Sequence, residues 1–243
     1  RFQALGLENV RHEPVELPCW EPRQASLHVT AGGQALDLPC FPLPHSAPTS
    51  TLDAPLVPFD PAAPERVQGA IAVCTVPLMR MPHTALAGLG SWHYDPESSF
   101  SQSVQVLPFG REIMDVMEPA MAAGAAGFVG VLAGYPGDSH DYYVPYDAVE
   151  RPIPGVWVSG SDGARLNDMA AVGPVSARLI VDAGREMITT HNVVAELPGA
   201  DGETVIIGSH HDGPWSSADE DGSGIALVLA QAEYWSRVPQ RER

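Results

Sequence analysis

Residues 204–232 read TVIIGSHHDGPWSSADEDGSGIALVLAQA, and this stretch decides the architecture. Thr204 to Gly208 is a short apolar run, and His210 to Asp221 is rich in imidazole and carboxylate. Ile225, Val228, Leu229 and Ala232 then recur at helical spacing. The pattern predicts a strand, a functional loop and an amphipathic helix. Just upstream, His191 to Leu197 is another alternating apolar segment and Pro198 to Gly202 supplies turn residues, so the two strands are expected to form a hairpin. In α/β sheets, ligand-binding side chains gather at the carboxyl ends of strands, which is where His210 begins.

Imidazole and carboxylate are the ligands that zinc prefers. Alternation along the strand end puts His210 and Asp212 on one side, so the Asp212 carboxylate is placed to accept a hydrogen bond from the ring nitrogen that faces away from a metal. Asp219, Glu220 and Asp221 follow in a second acidic turn, and Gly222 and Gly224 let that turn pass close to the strand ends. The alternative is a solvated acidic turn that only caps the helix.

Working outward, Arg66 to Pro77, Gly127 to Ala133, Ile153 to Ser159 and Val175 to Asp182 read as strands. Glu112 to Ala123 reads as a helix, and Gly160 to Ala171 as a shorter one capped by Ser161 or Asp162. Residues 39–64 carry repeated proline and are expected to form an extended connector. The resulting division is 1–64 as N-terminal segment and connector, 65–185 as a compact α/β module, and 186–243 as the start of a second α/β domain.

These features resemble the zinc-dependent aminopeptidases and carboxypeptidases, the group that includes glutamate carboxypeptidase and the transferrin receptor ectodomain. NVVAELPG (192–199) is similar to the first strand of their catalytic domain, VIIGSHHD (205–212) to the second strand with its metal-binding His-x-Asp, and ADEDGSG (218–224) to their second metal motif. Residues 123–133 and 152–166 are similar to the protease-associated domain that many members insert ahead of these strands. The resemblance implies a protease-associated, β-rich α/β domain followed by the start of an α/β/α zinc-peptidase domain.

It further implies that His210 binds one zinc ion, that Asp212 orients it, and that two Zn2+ ions serve the full site. Glu220 stands where the family has the Asp that bridges the metals, with Asp219 or Asp221 as substitutes, and a cis peptide is implied before Asp221. The general base and the remaining ligands lie, in the family, beyond the helix that ends near Trp235. Taken with the abrupt start at Arg1 and the absence of an initiator Met, this leads to the expectation of a longer hydrolase truncated here at both ends, the fragment alone being inactive. The implied reaction is hydrolysis of a peptide or small amide, with removal of an N-terminal amino acid as the default. The alternatives are a noncatalytic receptor-like protein that kept the fold, and a hydrolase of non-peptide amides.

Composition narrows the classes further. Across 243 residues the chain has 30 acidic side chains against 13 basic ones, all arginine, for a net charge of −17. No basic face is available to neutralise phosphates, which excludes an ordinary nucleic-acid binder. No run approaches the roughly 18 apolar residues that span a bilayer, and no signal peptide is visible; secreted and cytoplasmic locations both stay open. Cys19, Cys40 and Cys74 leave two readings, one Cys19–Cys40 disulfide or three reduced thiols with Cys74 buried.

Among lesser candidates, GDSH (137–140) lacks a nucleophile elbow, and the spacing of Gly124, Gly127, Gly130 and Gly134 suits tight packing rather than nucleotide binding. Tyr142, Tyr143, Tyr146 and Arg151 are candidates for walling a substrate cleft. His93 and His191 read as ordinary polar residues, and His211 is expected to face away from the metal.

Overall fold

A computed structural model describes residues 1–76, 78–107, 112–145, 147–200, 202–213, 215 and 220–239. The chain divides into two compact units, one of residues 20–185 and the other of residues 1–19 with 186–243. The strands are β1 (Glu8–Ala31), β2 (Gln34–Leu38), β3 (Phe41–Pro42), β4 (Thr49–Pro58), β5 (Ile71–Thr75), β6 (Met79–Pro82), β7 (Val104–Leu107), β8 (Gly127–Leu132), β9 (Gly155–Ser159) and β10 (Val175–Glu196). The α-helices are α1 (His83–Ala87), α2 (Glu112–Ala122), α3 (Gly160–Val172) and α4 (Gly222–Ser236). Among the described residues the main sheet has eight strands in the order β2-β1-β10-β4-β5-β8-β9-β3. It is mixed: β4, β5, β8 and β9 run parallel, while β10, β2 and β3 pair antiparallel with β4, β1 and β9.

The centre of the larger unit follows from strand alternation. Ile71 and Val73 of β5, Val129 and Val131 of β8, and Val156 and Val158 of β9 project to one face, where Leu166 of α3 joins them. Ala72, Cys74, Phe128, Leu132 and Trp157 project to the other, where Met117 and Ala120 of α2 cover them. Strands covered on both faces read as unbroken apolar runs, and every residue of β8 and β9 is buried. Helix α3 comes close because Gly163 has no side chain: a Cβ there would stand 3.0 Å from Cβ of Val131. The helix is capped by Ser159, whose hydroxyl accepts from the Asp162 amide, rather than by Ser161 or Asp162.

The proline-rich stretch 39–64, expected as a connector, is instead built into the sheet as β3 and β4. Leu52, Ala54 and Leu56 face the core from β4, and their burial outweighs the amide donors lost at Pro55 and Pro58. Between β5 and α2 the chain makes an excursion in which β6 and β7 pair and α1 lies between them. His93 there lies against Phe100, as an ordinary surface residue does. Tyr142, a candidate for a cleft wall, is fully buried against Trp157, and Arg151 is also buried; Tyr146 lies outside the described residues. All three cysteines are free thiols. Among the described residues no helix is long and apolar enough to cross a membrane.

In the smaller unit, the outer parts of β1 and β10 are tied by polar side chains. Asn9 donates to Glu196 at 2.7 Å, Arg11 pairs with the same carboxylate at 2.9 Å, and the Thr189 hydroxyl donates to Glu16. The expected second hairpin strand, Thr204 to Gly208, is not formed: residues 203–213 join no ladder among the described residues, and Val205, Ile206 and Ile207 are exposed. A strand needs a neighbour to take its backbone donors and acceptors, and apolar content alone does not supply one. In α4, Val228, Leu229 and Ala232 are half-buried, so the predicted face is present, with Ile225 at its exposed edge.

Candidate metal centre

The candidate site is carried by the segment 209–213 and by the first turn of α4. Helix α4 starts where it does because the Asp221 carboxylate accepts from the Gly224 amide at 3.0 Å, the geometry of an N-cap. The same carboxylate takes hydrogen bonds from the hydroxyls of Ser209 and Ser223. These donors, the Ser209 hydroxyl foremost and the Gly224 amide next, hold Asp221 below the usual carboxylate range. The Glu220–Asp221 peptide is cis, as the family resemblance implies.

His210 is oriented by its own neighbours. Its Nδ1 lies 2.9 Å from the Asp212 carbonyl oxygen and 3.4 Å from Asp212 Oδ1. A carbonyl can only accept, so Nδ1 carries the proton and Nε2 of the neutral ring presents a lone pair. That nitrogen stands 3.8 Å from Asp221 Oδ2. The bond to the Asp212 backbone is the main reason the imidazole's pKa is raised, and the Asp221, Asp212 and Glu220 carboxylates add to it. Both contacts at Nδ1 come from Asp212, its backbone oxygen lying closer than the carboxylate expected to accept. Glu220 is exposed beside the site, and Asp219 lies outside the described residues.

His211 is turned away from this cluster, its Nε2 donating to the His191 carbonyl of β10 at 3.1 Å. The His191 ring in turn lies 5.8 Å, centroid to centroid, from that of His12 on β1. Sequence reasoning passed over Ser209 and His191 as partners, because neither belongs to a ligand spacing. Their roles arise from main-chain geometry.

The donors suit zinc in kind: an imidazole with a free Nε2, its Nδ1–H engaged, and carboxylates close by. Among the described residues, however, no three His, Cys, Asp or Glu side chains are gathered closely enough to hold a metal ion.

The fold of the chain is shared with solved structures. A peptidase M28 precursor from Shewanella amazonensis superposes with a TM-score of 0.65 at 24% identity, over 99% of this chain and 53% of that one. The chain has the fold of an M28 peptidase. A zinc aminopeptidase from Bacillus subtilis superposes with a TM-score of 0.56 at 18% identity, over 98% of this chain and 50% of its own. In sequence, the chain is 36% identical over 134 residues to the probable leucine aminopeptidase 2 of Aspergillus oryzae, a match covering 51% of this chain and 25% of that protein. The chain thus spans about half the length of the solved structures it matches, and the match a quarter of that curated relative's. No family model matches the chain.

Proposed function

We propose that this chain forms part of a zinc-dependent aminopeptidase, with a protease-associated-like module at 65–185 and the beginning of the catalytic domain from residue 186. The observation that carries the proposal is the His210 ring, held by Asp212 with Nε2 directed toward Asp221, on an M28 fold. His210 would be a zinc ligand and Asp212 its orienting partner. Glu220 and Asp219 are the candidates for the carboxylate shared between two ions, and Asp221, committed to capping α4, supports the turn.

Zinc bound here would polarise the scissile carbonyl and lower the pKa of a bound water. This chain's residues would hold the ring in one tautomer and bring negative charge to the metal. Because the described residues gather fewer than three such donors, the proposal assigns them only part of the ligand set. The substrate class proposed is a peptide with a free N-terminus or a small amide; the name of the Aspergillus relative makes an N-terminal leucine the first one to try.

The test is zinc titration and hydrolysis of a leucine anilide by the full-length protein and its His210→Ala variant. Loss of at least one zinc equivalent together with activity is expected, and wild-type rates in the variant would refute the assignment. One observation favours a second reading, a noncatalytic binding protein: Glu220 stands at the place of the bridging Asp. A wild-type protein that neither retains zinc nor cleaves any amide would establish that reading.

A further inference from the structure

We propose that Ser103, with His83 as its base, is a reactive centre of the larger unit: a serine nucleophile that accepts an acyl group from an activated ester. The pair lies on the excursion between β5 and α2, where His83 follows directly on β6 and Ser103 directly precedes β7. It is independent of the zinc reading above.

The tautomer of His83 follows from its partners. The Gln105 amide nitrogen donates to the Val106 carbonyl at 3.3 Å, which leaves the amide oxygen toward the imidazole, 3.3 Å from Nε2. An amide oxygen can only accept, so in the neutral ring Nε2 carries the proton and Nδ1 presents a lone pair. That lone pair stands 2.6 Å from the Ser103 hydroxyl oxygen, closer than the Ser99 carbonyl at 3.0 Å, and the single hydroxyl proton is directed at the imidazole. A hydroxyl, a base and a third group that holds the base's other nitrogen together make the arrangement that activates a serine. The backbone holds the pair in place. Pro82 and Val104 are partners in the β6–β7 ladder, and the His83 amide donates to the Ser103 carbonyl at 3.1 Å. The Phe100 ring lies edge-on to the imidazole at 6.0 Å, on a turn fixed by Asp95, whose carboxylate accepts from the amides of Ser99 and Phe100 at 2.8 and 2.9 Å. Ser103 and His83 are half-buried. In the reaction the Ser103 oxygen attacks the ester carbonyl carbon as its proton passes to Nδ1. The bond from that carbon to the leaving group then breaks, the leaving group takes the proton, and an acyl-serine remains beside a neutral imidazole.

The probe is p-nitrophenyl acetate, added to the full-length protein with a zinc chelator present so that metal-dependent cleavage is silenced, and acetylation is located by peptide mass spectrometry. The 243 residues contain no lysine to compete for the label. Ser103 should be acetylated roughly a hundred-fold faster than Ser98 and Ser101 of the same excursion, the lower end of what a positioned base contributes. His83→Ala should lose that advantage, and Gln105→Leu, which keeps the base but frees its other nitrogen, should lose part of it. Labelling of Ser103 no faster than of its neighbours would overturn the proposal within the wild-type protein alone. A His83→Ala variant that keeps the wild-type near-ultraviolet circular dichroism and still labels at the wild-type rate would overturn it as well.

Discussion

In a Gly130→Ala variant the new methyl carbon would overlap Cε3 and Cζ3 of the Trp157 ring on the neighbouring strand and stand 2.9 Å from Cε1 of Phe128. Non-bonded carbons rest about 3.5–4.0 Å apart, so the indole would have to retreat. It has nowhere to go. The ring is fully buried, meets Phe128 and Tyr142 edge-on at centroid distances of 5.9 and 5.3 Å, and donates from Nε1 to the Val144 carbonyl at 3.0 Å. Overpacking of a filled core costs about 1–3 kcal/mol, and the rigid surroundings put this case at the upper end. For a chain of this size, about 3 kcal/mol corresponds to a fall in Tm of about 6–12 °C. The assay is thermal unfolding followed by near-ultraviolet circular dichroism, for the single variant, Trp157→Leu and the double variant. With the indole gone, the alanine should cost less than about 1 kcal/mol, a coupling expected only of residues in contact. A Tm within about a degree of wild type, or equal costs in both backgrounds, would refute the packing argument.

Three further outcomes follow from titrating groups. Burial, and next the Arg151 guanidinium, lower the pKa of His45, with Arg185 acting the same way against Asp147 and Glu150. The unfolded chain therefore binds the proton more readily, and stability should fall as pH drops below about 6.5. His45→Gln should flatten that fall in Tm between pH 7.5 and 5.5, and an unchanged slope would sink the assignment. Burial also pushes the Cys40 and Cys74 thiols up to about 11 and about 12, so both should resist iodoacetamide at pH 8 until denaturant is added. Because these thiols stay neutral in the fold but ionise when unfolded, stability should decline as pH rises from about 8.5 toward 11. Rapid native-state alkylation of either would contradict their burial.

The strands and helices legible in the sequence are those of the larger unit's centre, because residues buried on both strand faces leave unbroken apolar runs such as Gly127 to Leu132. Strand β1 was not legible. Its first half is largely exposed and interrupted by Pro14 and Pro18, so no alternation marks it. Strand β10 read as two pieces, because Ala183 to Thr190 is polar and contains Gly184, yet the ladder runs through to Glu196. The opposite failure occurred at Val205 to Ile207, where composition promised a strand and none of the described residues forms a ladder with it. At the site, the spacing of His210 and Asp212 anticipated that the two residues meet. Nothing in the spacing showed that the closer contact is to a main-chain oxygen, whereas the helix-capping role weighed for the acidic turn falls to Asp221.

The position of β10 beside β4 also sets the order in which the sheet can assemble. Leu56 and Val175 pair although they are about 120 residues apart along the chain, so this pairing waits on the strands between them. The parallel strands β5, β8 and β9 have their crossover helices nearby and can organise first. During synthesis β4 waits, its antiparallel edge open, until residues beyond 175 have left the ribosome. That interval is the stage at which the chain is most exposed to intermolecular pairing.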